Sequence, residues 1–154
     1  MYTHHHVRPM RQRDLDAILR VEHASFGSDA YDRKLFAEYS RVCGGLFLVA
    51  ESGSGIHGYS LTRARGDRAE LVSIAVDPPA RGKGAASALL CSTVRRLRRR
   101  KVTRLTLMVR LTNAVARAFY EKHEFAKVRT IRGYYEDGAD GCLLRKALPS
   151  PSAR

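Results

Sequence analysis

An α+β fold is expected from three observations. Short apolar runs between residues 46 and 76 are separated by glycine-bearing turns, as in an antiparallel meander. The last of them stops at Asp77-Pro78-Pro79 and gives way to a basic, glycine-containing loop and an Ala/Leu-rich helix. A further strand, a helix and a closing strand pair follow, so strands and helices are neither strictly alternating nor fully segregated. At 154 residues the chain is expected to form one domain, residues 1–148, with a flexible tail, 149–154.

The elements follow in order. "DLDAILRVEHASF" spaces Leu15, Ile18, Leu19 and Glu22 as on a helix, with Asp14 as its N-cap. A second helix is expected after Asp32, bringing Leu35, Phe36 and Tyr39 to one side. "LFLVAE" (46–51) is a strand, "SGSG" (52–55) a turn, and "IHGYSLTRA" the next strand. Gly66-Asp67 turns the chain into "AELVSIAV" (69–76). The helix beginning at Ala85 aligns Ala86, Leu90, Val94 and Leu97. "RLTLMV" (104–109) is a strand, parallel to 69–76 if the crossover is right-handed. "NAVARAFYEKHEF" is a helix with Val115, Phe119 and Tyr120 near one face, and "AKVRTI" pairs with "CLLRKAL" at the end.

Composition excludes several classes. With 44% hydrophobic and 28% charged residues the chain has a core to bury, and no apolar run nears the roughly 18 residues of a spanning helix. The start, "MYTHHHVRPM", lacks the apolar core of a signal peptide, so a cytoplasmic location is expected, without membrane binding. Three scattered cysteines fit neither a disulfide framework nor a metal spacing. His4 to His6 are read as a solvated run, since no second cluster completes a metal site, and no metal is expected. A net charge of +13 calls for an anionic partner: a polyphosphate cofactor, nucleic acid or an acidic polypeptide. The cluster Arg95 to Lys101 reads as a solvated helix end suited to the helix dipole. No aromatic residues interleave with it to stack bases, and direct nucleic-acid binding is not expected.

The loop after the prolines carries the chemistry. Neither proline has an N–H to donate, so the strand must stop. "RGKGAA" then opens a helix whose first backbone N–H groups have no intrahelical acceptor. Gly82 and Gly84 admit close approach, Ala85 and Ala86 leave the surface clear, and Arg81 and Lys83 add positive charge: a pyrophosphate cradle. The Walker and Rossmann patterns do not match.

Arg81 to Ala86 reads R-x-x-G-x-A, and with the element order from about Val7 to Leu148 it resembles the GNAT acetyltransferases. "NAVARAFYEKHEF" resembles that family's N-x-x-A-x-x-x-Y-x-x-x-G-F segment. "ELVSIAVDP", "NAVARAFYEK" and "GYYEDGAD" look most like its RimI/Ard branch, which acetylates protein N-termini. The resemblance implies a mixed, mostly antiparallel sheet with a splayed parallel strand pair flanked by helices. It implies acetyl-CoA as cosubstrate, with Ile74, Ala75 and Val76 pairing to the pantetheine arm. Arg81, Gly82, Lys83, Gly84, Ala85 and Ala86 would hold the pyrophosphate, with Asn113 and Tyr120 near the cofactor. The acceptor would be a protein or peptide N-terminus, a ribosomal protein among the candidates, and the enzyme a monomer or homodimer.

By the same resemblance Tyr120 is the general acid; read from its residues alone it fits a core tyrosine on an amphipathic helix. The branch's catalytic glutamate falls at Met108, which accepts no proton. Glu70 is the substitute base, or else it pairs with Arg68 or Arg110 at a sheet edge. Phe26 and Tyr31, and across from them Tyr134 and Tyr135, are expected to wall the peptide site or to pack as ordinary aromatics. Glu124 stands where the family has glycine, in a left-handed position. Competing readings are a small-amine or lysine acetyltransferase, and a CoA-binding module without useful catalysis.

Overall fold

The computed structural model describes residues 4–149, so the expected tail lies, from residue 150, outside the described residues. The strands are β1 (His6–Pro9), β2 (Phe47–Ser52), β3 (Gly55–Arg65), β4 (Arg68–Val76), β5 (Arg104–Arg110), β6 (Ala126–Ile131) and β7 (Gly141–Ala147). The helices are α1 (Leu15–Phe26), α2 (Arg33–Cys43), α3 (Ala85–Arg99) and α4 (Ala114–Lys122). The seven strands form one sheet, ordered β1-β2-β3-β4-β5-β7-β6. The β1–β2, β2–β3, β5–β7 and β6–β7 ladders are antiparallel, and β4–β5 is parallel. This is the expected α+β architecture. The chain divides into two compact units: residues up to Arg63 with Val72–Arg96, and Ala64–Leu71 with Leu97 onward.

In the first unit α1 and α2 bury Ile18, Val21 and Phe36 with Phe47, Tyr59 and Leu61 of β2 and β3. Phe36 lies 5.4 Å from Tyr59 and 5.8 Å from Phe47, ring centre to ring centre, edge-on to Tyr59 and tilted to Phe47. Removing such a ring costs about 3–5 kcal/mol. The second helix starts after Asp32 as expected, and Asp32 caps it, accepting from the Leu35 N–H at 2.9 Å. Asp14 does not cap α1. Its backbone is already helical, and its carboxylate instead accepts from the Arg11 N–H and from Arg8. Arg8 also reaches Glu51 at 2.9 Å, tying β1 to β2.

The N-terminal run expected to be solvated is partly structured. His6 opens β1, and His5 is half-buried with its ring 6.2 Å from that of His57. Of the expected apolar stripe of α3, Leu90 and Leu97 are buried, whereas Ala86 and Val94 are half-exposed. Beside Leu90 and Ser92, a row at strict i+4 spacing is buried: Ala85, Leu89, Thr93 and Leu97. Thr93 is tolerated there because its hydroxyl donates to the Leu89 carbonyl at 2.9 Å.

In the second unit β5 alternates strictly: Leu105, Leu107 and Val109 are buried, while Arg104, Thr106, Met108 and Arg110 are half-exposed. Both helices here end in the same motif. At α4 the Glu124 N–H donates to the Glu121 carbonyl and the Phe125 N–H to that of Tyr120, with Glu124 at φ +69°. At α3 Lys101 and Val102 donate to Arg98 and Leu97, with Lys101 at φ +63°. These are Schellman caps, which favour glycine at the left-handed residue. Of Val115, Phe119 and Tyr120, expected near one face of α4, Val115 is exposed, Phe119 half-buried and Tyr120 buried.

Candidate active site

In the first unit β4 runs through Ile74, Ala75 and Val76 into the loop. The strand ends as its prolines require: Pro78–Ala80 form a single 3₁₀ turn. Gly82 and Gly84 then adopt φ +79° and +91°, a region that side chains rarely enter. A Cβ built on either would meet nothing within 4 Å, so the loop backbone is open along its outer side. The Gly84 carbonyl accepts from the Ala88 N–H and starts α3, leaving the N–H groups of the first turn pointing out of the helix start. Lys83 is exposed at the loop apex. Arg81 is spent otherwise: its Nε donates to the Val76 carbonyl at 3.0 Å and its Nη2 reaches Ser25 at 3.3 Å. It braces the strand end against α1.

Beside this loop lies a cleft of about 300 Å³ lined by His5, Ser52, Ser54, His57, Asp77 and Lys83. Ser52 and Ser54 both bond His57 Nε2, at 2.7 and 2.9 Å. Sequence reasoning missed it, because its residues come from three separated segments.

The stretch after α1 is held from beneath. Glu22 is fully buried; it accepts from the Tyr31 N–H at 3.0 Å and from the Tyr59 hydroxyl. Ser73 donates to the same Tyr59 oxygen at 2.7 Å. Burial pushes the Glu22 carboxyl up, only partly countered by these donors. The Tyr59 hydroxyl is pushed up too, by burial and by Glu22. Tyr31 leans edge-on against Phe36, whereas Phe26 is exposed. Of the two expected wall residues, Tyr31 is therefore anchored to the core and Phe26 is open. Glu22 looked in the sequence like one more helix position.

In the second unit the β4–β5 ladder comprises three pairs, Arg68–Arg104, Ala69–Leu105 and Glu70–Thr106. Glu70 is half-buried at the last of them. Asn113 is the N-cap of α4, its Oδ1 accepting from the Ala116 N–H at 3.1 Å. Tyr120 is buried between Phe119 and Phe125, with ring centres 5.3 and 5.5 Å away. Burial, with a smaller contribution from Tyr135, pushes its hydroxyl well above the ordinary tyrosine value. It therefore keeps its proton at neutral pH.

Tyr134 and Tyr135 meet edge to face at 5.0 Å on the β6–β7 connection. Arg110 stacks on Tyr135 and pairs with Asp137. A Cβ on Gly141 would fall 2.5 Å from Met108 Cε and 3.1 Å from Tyr134, so glycine lets those two side chains close over β7. Tyr134 and Met108 thus meet over Gly141.

Among the described residues no group of three or more His, Cys, Asp or Glu side chains could hold a metal ion. No described helix is long and apolar enough to cross a membrane.

Residues 13–125 match the acetyltransferase (GNAT) family. An N-alpha-acetyltransferase of Saccharolobus solfataricus is 30% identical, the alignment covering 92% of each chain. The ribosomal-protein-S18-alanine N-acetyltransferase of Escherichia coli superposes with a TM-score of 0.83 at 26% identity, covering 98% of this chain and 99% of that one. Ard1 of Thermoplasma volcanium superposes at 0.89 with 22% identity, covering 94% and 98%, and shares the fold.

Proposed function

We infer, since this chain belongs to the acetyltransferase (GNAT) family, that it transfers acetyl from acetyl-CoA directly to the α-amino group of a protein or peptide N-terminus. The observation that carries the reading is the open cradle at Gly82 and Gly84, two left-handed glycines facing clear space at the start of α3. A polyphosphate suits it: outward N–H groups, the positive end of a helix dipole and the Lys83 ammonium converge there. Acetyl-CoA, when bound, supplies the activated thioester.

This chain's residues do the rest. The backbone of Ile74 to Val76 holds the cofactor's arm, Gly82 to Ala86 its pyrophosphate, and Asn113 fixes the start of the helix that carries Tyr120. The acceptor α-amine titrates near pH 8 and is mostly ammonium at neutral pH. Its second proton returns to Tyr120 as the amide forms, but the first must be removed before attack. Glu70, at the end of the parallel ladder, takes that proton through water, and Tyr120 gives its own to the departing thiolate sulfur. Phe26, Tyr31, Tyr134 and Tyr135 wall the first residues of the acceptor. Residues 1–148 act together as one acetyltransferase domain. The names of the relatives, N-alpha-acetyltransferase and S18-alanine N-acetyltransferase, support an α-amine acceptor.

The cradle is tested by thermal melts with and without acetyl-CoA. The expected result is a rise in Tm that Lys83→Glu greatly reduces; no rise in the wild type would overturn the reading. Lys83 is the better probe than Gly84, where any side chain would also strain the backbone.

A further inference from the structure

The registers of the second unit place one arginine from each of four neighbouring strands on a single sheet face. Arg68 of β4 stands beside Arg104 of β5. Arg145 of β7 is opposite Thr106, two residues along from Arg104 and so on the same side. Arg129 of β6 is opposite Leu143, which is two residues from Arg145. The four make a diagonal stripe across β4, β5, β7 and β6. The opposite face carries the buried Leu105, Leu107, Cys142 and Leu144, whereas this one is half-open: Arg68, Arg129 and Arg145 are exposed and Arg104 is half-exposed. Among the described residues no ion pair engages any of the four. Glu70 is the single carboxylate on this face of the four strands.

We propose that this stripe receives an acidic polypeptide segment, namely the part of the acceptor that follows its acetylated end. The proposal rests on the N-terminal acetyltransferase reading given above. Met108 and Tyr134 border the same face, which joins the stripe to the residues expected at the acceptor's first positions. Three strand spacings of about 4.8 Å and two steps of about 6.7 Å along the strands span about 20 Å. An extended segment of about six residues covers that distance. Arginines so arranged offer forked donors to successive carboxylates. A single-stranded nucleic acid is the weaker fit, because no aromatic side chain of the described residues lies between the arginines to stack bases.

The test uses peptides of about ten residues that share their first two residues and differ in carrying Asp/Glu, neutral or Lys/Arg residues afterwards. The acidic series is expected to show a KM about fivefold to tenfold below the neutral one, with kcat changed less. That gap should shrink as salt is raised. It should be lost in Arg104→Gln/Arg145→Gln and kept in Arg99→Gln/Arg100→Gln, which removes as much charge from the end of α3. Equal KM values for the three series, or a gap that survives Arg104→Gln/Arg145→Gln, would overturn the proposal while leaving N-terminal acetylation intact. Acetylation of free amines but of no peptide would take down both readings. Stronger, arginine-dependent inhibition by a single-stranded RNA than by an acidic peptide of equal charge would also overturn it. Should the double variant fail to fold, the salt dependence in the wild type and Arg129→Gln alone decide the matter.

Discussion

The guanidinium carbon of Arg110 lies 4.3 Å from the centre of the Tyr135 ring, while its Nη1 is 2.9 Å from Asp137. One side chain from the end of β5 thus clamps the β6–β7 connection on both its aromatic and its acidic side. Lysine keeps the charge but lacks the planar guanidinium that stacks on Tyr135 while its Nη1 meets both Asp137 oxygens. Arg110→Lys is expected to raise the KM for a peptide acceptor several-fold with little change in acetyl-CoA binding. Steady-state kinetics with each substrate varied in turn check this.

The Schellman caps make a stability prediction. Glu124 holds φ +69°, and among the described residues its exposed carboxylate meets Lys146 alone, at 3.5 Å. The stronger tie, Lys146 Nζ to the His123 carbonyl at 2.8 Å, does not need the glutamate. Glu124→Gly should therefore stabilise by about 1 kcal/mol, and Lys101→Gly by a similar amount, in urea unfolding.

Arg8 bridges two carboxylates, and one of them, Asp14, is almost fully buried. Burial pushes the Asp14 carboxyl up, but Arg8 and the Arg11 N–H more than reverse this, leaving it below the ordinary value. A depressed carboxyl contributes stability above its unfolded pKa, and that contribution fades as pH falls through the folded one. Arg8→Ala is expected to cost about 3 kcal/mol at pH 7, because it strands a buried charge. The cost should diminish below about pH 4, where Asp14 is neutral in the unfolded chain and, without Arg8, readily protonated in the folded one.

Glu22 has the opposite sign. Its carboxyl is raised by burial, so the stability it lends as a protonated group is complete below its unfolded pKa and is lost as pH rises through the folded value. Glu22→Gln cannot ionise. The difference in Tm between this variant and the wild type should move in the variant's favour from pH 5 to pH 8. A constant difference would mean that the bonds from Tyr31 and Tyr59 keep Glu22 ionised throughout.

The proton-transfer roles are separable by rate. Tyr120→Phe keeps the buried ring between Phe119 and Phe125 and removes only the hydroxyl. It and Glu70→Gln should each lower kcat by about 10²-fold or more while the acetyl-CoA thermal shift persists. Met108→Glu restores a carboxyl beside Tyr134 and should raise the rate of Glu70→Gln.

What could be read from the sequence was local. Gly82 and Gly84 were legible because a turn of positive φ into a helix asks for glycine, and the prolines at 78 and 79 end a strand wherever they stand. The meander and the start of α2 after Asp32 were legible from equally local signals. Strand β1 was not: four residues ending in proline carry no period, and β2, more than thirty residues away, defines them. Nor was the burial of Thr93, a polar residue that its bond to Leu89 lets lie in the buried row of α3. At the site, the helix carrying Tyr120 could be placed, and its residues alone already fitted a core tyrosine, which the structure buries. The links among Glu22, Tyr59 and Ser73, and the arginine stripe, depend on register between distant strands, which composition does not encode.

The most direct measurement of the central claim is thiol release from acetyl-CoA, followed with short peptides that vary in their first two residues and with polyamines and N-terminally blocked lysine peptides as controls. Turnover is expected on free peptide N-termini, dependent on the first residue, with the product acetylated at the α-amine. Turnover confined to the polyamines or to lysine side chains, with free N-termini left unmodified, would contradict it.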